Sequence, residues 1–100
     1  MKEQKGSRWT AFRKELETLA KEQGMEIRRA FNLPGEGGSC KLRGKPLVLM
    51  NSHIPEIKKA RILADALKKS EIDSVYIRPE LREFIETGVM PRRRFAKTKN

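Results

Sequence analysis

Trp9, Phe12, Leu16, Leu19 and Ala20 recur at steps of three and four residues, which places them on one face of an amphipathic helix. Ser7 is positioned to cap its start and Gly24 to end it at the C′ position. Arg13, Lys14, Glu17 and Lys21 fall on the opposite, polar face, and residues 1–6 read as a flexible polar lead. From Met25 the period drops to two. Met25, Ile27, Arg29 and Phe31 alternate with Glu26, Arg28 and Ala30, the pattern of a half-buried strand. The stretch from Asn32 to Gly38 is rich in Gly and Pro and reads as a loop. Ser39 to Arg43 alternates again, with Cys40 and Leu42 on the inward face and Lys41 and Arg43 opposite. Gly44-Lys45 then divides two strand-like runs, and Gly at the first central position suits a type II′ hairpin turn.

Leu47 to Met50 is apolar on both faces, as a central strand requires. The run Asn51-Ser52-His53-Ile54-Pro55 introduces a second helix, whose buried stripe is Ile57, Ala60, Leu63, Ala64 and Leu67. Val75-Tyr76-Ile77 reads as a short last strand, with Tyr76 half-buried. Pro79 opens a third helix that turns Leu81, Phe84 and Ile85 inward and ends at Gly88. The predicted architecture is α+β: a small mixed sheet in the order α-β-β-β-α-β-α with helices packed on it. Residues 7–89 form the single domain, and residues 90–100 a disordered basic tail.

Charge changes the picture more than size does. The net charge is +10, and residues 91–100 contribute Arg92, Arg93, Arg94, Lys97 and Lys99 with no acid, half of that excess. A block of one sign stays solvated and serves as an interaction arm, or simply as a solubilising tail. Arg28, Arg29, Lys41, Arg43 and Lys45 add cations on neighbouring strands and a turn, either as a basic sheet face for a phosphate backbone or as an ordinary solvated surface. Nucleic acid, with RNA or the ribosome favoured, and an acidic protein are the partners this balance implies.

Other chemistry is sparse. Cys40 is the sole cysteine, which excludes an intrachain disulfide and points to a reducing compartment. The longest apolar run is far short of the ~20 residues that span a bilayer, and no signal peptide is visible at the start. The expected location is cytoplasmic, with no membrane partner. Cys40 reads as a small buried hydrophobe, or as a nucleophile if His53 approaches it. His53 is the sole histidine and reads otherwise as a polar residue at a helix start. One His and one Cys do not make a zinc site, and no cofactor or small-molecule ligand is called for. Gly35-Glu36-Gly37-Gly38 is either a phosphate-cradling nest or a flexible interstrand loop; it opens a strand and not the helix that a phosphate loop requires. Trp9 reads as core, with base stacking as the alternative. No aromatic pattern of the sheet-based RNA modules is present.

The run Gly37-Gly38-Ser39-Cys40-Lys41-Leu42-Arg43-Gly44, the helix carrying Leu63-Ala64-Asp65-Ala66-Leu67, and Val75-Tyr76-Ile77-Arg78-Pro79-Glu80-Leu81-Arg82-Glu83 together resemble a group of short bacterial proteins with no assigned activity. The resemblance covers roughly half the chain and implies a domain, not a chemistry. A fainter likeness is to the small zinc peptidase fold, in which a hairpin precedes an active-site helix. That chemistry needs two His four residues apart on the helix, and Lys58 to Asp65 contains none. The leading reading is a non-enzymatic nucleic-acid-binding or ribosome-associated accessory protein. A protein-interaction adaptor is the alternative, and a small Cys/His enzyme comes third.

Overall fold

A computed structural model describes residues 2–31, 34–70, 72 and 74–89, with side chains from residue 8 onward. The elements are α1 (Lys2–Glu22), β1 (Glu26–Ala30), β2 (Gly37–Leu42), β3 (Lys45–Asn51), α2 (Glu56–Lys68) and α3 (Pro79–Thr87). The α+β class, with helices packed on a small mixed sheet, is as the sequence predicts. The basic tail at residues 90–100 lies outside the described residues.

The sheet order is β1-β3-β2, with β1 parallel and β2 antiparallel to β3. Directly paired residues share a face. Val48 is flanked by Ile27 and Ser39, and Met50 by Arg29 and Gly37. Val48 and Met50 are fully buried in one cluster with Leu16, Leu63, Leu67 and Phe84 from the helices. That face is therefore the inner one. The outer face carries Glu26, Arg28 and Ala30 on β1, Leu47 and Leu49 on β3, and Gly38, Cys40 and Leu42 on β2.

Local chemistry ends the helices where the sequence indicates. Gly24, at φ +87°, closes α1: its N–H bonds to Lys21 O and that of Met25 to Ala20 O, both at 3.0 Å. These are the paired bonds of a Schellman cap. Gly88 closes α3 in left-handed conformation by the simpler αL motif, a single bond from its N–H to Phe84 O at 2.7 Å, and Pro79 occupies the first turn of that helix. Pro55 is the N-cap of α2 and stands just outside it.

Several expectations are corrected. The helix α1 begins at Lys2, so it includes most of the stretch read as a loose lead, and Ser7 lies inside it. The hairpin turn is centred on Arg43-Gly44, because Leu42 pairs with Lys45. Both central residues have positive φ, at 55° and 82°, which is the type I′ pattern and not type II′. Val75-Tyr76-Ile77 joins no sheet. Instead Ile72 and Ile77 enter the core, and the Arg82 guanidinium donates to the carbonyls of Ile72 (3.2 Å) and Val75 (2.8 Å). With those carbonyls held by a side chain, the segment is fixed without a ladder. Tyr76 is 85% exposed, not half-buried.

Trp9 packs as expected, edge-on to Phe12 and Phe84, whose rings also meet edge-to-face. Arg13 and Glu17, expected on the solvent side of α1, are largely covered instead. Glu17 pairs with Arg13 and with Arg29 of β1, while Arg13 also bonds Glu56 of α2 at 2.7 Å and Lys59 reaches Glu56 at 3.4 Å. Burial works against the Glu56 charge most strongly, but the hydrogen bond and charge of Arg13, aided by Lys59, outweigh it and hold its carboxyl below the usual range. This chain of charges ties α1, β1 and α2 together.

Candidate nucleic-acid interface

The β2–β3 hairpin concentrates the cations that the fold leaves uncommitted. Ion pairs engage Arg13, Arg28, Arg29, Lys58, Lys59, Lys69, Arg78 and Arg82. Lys41, Arg43 and Lys45 have no carboxylate at ion-pair distance among the described residues, and all three are exposed. Lys14, Lys21, Arg61 and Lys68 share that condition, Lys68 donating only to the Glu86 backbone carbonyl, but they are spread over two helices. On the hairpin the three cations occupy the turn and the pairs beside it: Lys41 is opposite Pro46, and Lys45 opposite Leu42.

Arg43 holds the tip in left-handed backbone, where a side chain costs about 1–2 kcal/mol relative to glycine. Asn or Gly would fit better. We expect Arg43→Asn to raise the unfolding free energy by about 0.5–1 kcal/mol in denaturant titrations. Destabilisation would show that the guanidinium is held by the fold.

The five strand and turn cations do not form a single face. Arg28 and Lys45 lie on the outer side, Arg29 and Lys41 have inward register, and Arg43 is at the tip. Arg29 is engaged by Glu17 beneath the sheet. Arg28 bonds Glu26 at 2.7 Å; that hydrogen bond, together with the Arg28 charge and a smaller contribution from the Lys45 charge, lowers the Glu26 pKa. The pair is exposed on both sides, so exchanging it for a phosphate costs little. Arg92, Arg93, Arg94, Lys97 and Lys99 lie outside the described residues.

Cys40 is exposed on the outer face, not buried. Alternation separates the two faces of β2 correctly but does not say which is inside; full burial of Val48 and Met50 on the other face settles it. Cys40 and His53 are not brought together. Cys40 pairs with Leu47, and His53 lies beyond Asn51, so about 13 Å of strand separates them at 3.3 Å per residue. Of the Gly35–Gly38 run, read from the sequence as a loop, Gly37 and Gly38 open β2 opposite Met50 and Leu49, and the two residues before them are braced by Asn51, which donates its side-chain N–H to Gly35 O (3.1 Å) and its backbone N–H to Glu36 O (3.0 Å). Among the described residues no cluster of His, Cys, Asp or Glu could hold a metal ion, and no helix is long and apolar enough to cross a membrane.

One pair escapes a reading of the sequence alone. Phe31, expected on the buried side of β1, is 68% exposed. Its ring lies 5.2 Å from that of His53, tilted by 52°. The available signal is its position directly before the Gly- and Pro-rich stretch of the sequence: the strand stops at Ala30, and alternation no longer directs the next side chain. No family model, curated protein or solved structure matches the chain.

Proposed function

We propose that the protein is a nucleic-acid-binding accessory module of the cytoplasm, RNA- or ribosome-associated, that presents cations from its hairpin and its C-terminal arm to a phosphate backbone. The observation that carries this reading is the cluster of Lys41, Arg43 and Lys45, exposed and without ion-pair partners while most described carboxylates are committed elsewhere. Self-repulsion within such a cluster makes a polyanion the complementary partner. Arg43 at a strained turn position fits the same reading, because the fold itself does not call for an arginine there.

Affinity for nucleic acid should fall steeply with salt, since each neutralised phosphate releases condensed counterions. On single strands the log–log slope is about −0.7 per contact. Replacing Lys41, Arg43 and Lys45 together by Ala should flatten it by up to ~2 units. Truncation after Met90 removes five further cations and should flatten it by up to ~3–4 units. Titrations of the full chain and both variants at several salt concentrations measure this. No affinity for duplex DNA, structured RNA or single strands at low salt would sink the reading and leave the acidic-protein adaptor in its place.

A further inference from the structure

We infer that the nucleic acid is single-stranded, and that one of its bases stacks on the Phe31–His53 pair. This rests on the nucleic-acid reading above and names its substrate class. The parallel pairing of β1 with β3 ends at Ala30 opposite Asn51, and the Ser52 N–H donates to Ala30 O at 2.8 Å. That junction sets the residues after the two strands side by side. The Asn51 Oδ1 accepts from the His53 N–H at 3.0 Å while its amide holds Gly35, so the imidazole stands on a braced turn. Phe31 thus shows most of a large apolar ring to water, and among the described residues no ring other than His53 lies against it. An exposed aromatic face on a cationic domain is what a nucleobase needs. Stacking is tolerant of base identity and requires a base whose own faces are free, which a continuous duplex does not offer.

The cations lie where a strand leaving this platform would run. The β3 strand from Lys45 to Asn51 is 7 residues long, so the hairpin and the aromatic pair are roughly 20 Å apart at opposite ends of the sheet. Between them the outer face carries exposed Arg28 beside half-buried Ala30 and Leu49, with Leu47 buried among them. A base held at one end and phosphates at the other would set the polarity of the strand across the sheet.

The test uses the full chain with a labelled oligopyrimidine of about ten nucleotides, within the range of site sizes for such grooves, and with an abasic strand of the same length. Phe31→Ala should weaken binding of the base-bearing strand about 5- to 100-fold, with its salt slope unchanged and the abasic strand unaffected. Phe31→Trp should retain the affinity. Equal affinity of Phe31→Ala and the parent for the base-bearing strand would overturn stacking while leaving the polyanion reading intact. An equal loss on both strands would show that Phe31 acts through the fold, and would also overturn it. Tighter binding to a covalently closed duplex than to the single strand would contradict the substrate class. No binding of any strand by the parent would remove both readings together.

Discussion

Gly37→Ala is expected to lower the unfolding free energy by about 3 kcal/mol or more. Gly37 has φ +122°, which L side chains rarely adopt, and a Cβ there would stand 2.1 Å from Leu49 O and 2.9 Å from Leu49 C. Both atoms belong to the backbone of the central strand, so no rotamer change relieves the clash. β2 would have to part from β3 at the Gly37–Met50 pair, and the fully buried Met50 would move with it. Gly38→Ala is the control, since nothing lies within 4 Å of its Cβ position; it should stay within about 1 kcal/mol. Equal midpoints for the two variants in urea would refute this account of the connection.

Phe84→Ala should cost about 3–5 kcal/mol. Phe84 is fully buried, and its ring lies 5.4 Å from Trp9 and 5.5 Å from Phe12. Truncation empties the point where α1 and α3 meet and removes two edge-to-face contacts. Domains of this size are stable by only about 5–15 kcal/mol, so the loss takes a large share. Near-UV dichroism and Trp9 fluorescence should report loosened packing, with the melting midpoint lowered. Phe31→Ala, at an exposed position, should leave the midpoint close to that of the parent. The two phenylalanines thus separate the fold from the surface: one substitution removes stability, the other binding. An unchanged midpoint for Phe84→Ala would contradict the packing described.

The three helices were legible in the sequence because apolar residues at helical spacing, Pro79 and the two terminating glycines carry local physics. Gly24 and Gly88 meet a backbone demand that acts within one turn. The hairpin was legible for the same reason, but its turn was displaced by one residue because Arg43 sits where a glycine or asparagine would be expected. What failed depends on contacts distant in sequence. The alternation Cys40, Leu42 against Lys41 defines two faces, and only the burial of Val48 and Met50 under the helices tells which is inside. Val75 to Ile77 has strand composition, yet Arg82 satisfies the Val75 carbonyl and Ile77 turns into the core. The charge chain from Arg29 through Glu17 and Arg13 to Glu56 links residues up to 43 positions apart, so helical periodicity assigned Arg13 and Glu17 to solvent. In the candidate interface, the hairpin cations were named from charge alone. Their distinction from Arg29, and the meeting of Phe31 with His53, required the register of β1 on β3.

Backbone amide shift mapping of the full chain with a short oligopyrimidine tests most directly whether the hairpin and the end of the parallel strands form the binding surface. Shifts should concentrate at Lys41–Lys45, at Arg28 and at Phe31 and His53, and should shrink as salt rises. Shifts confined to α2 and α3, with the hairpin and Phe31 silent, would contradict it.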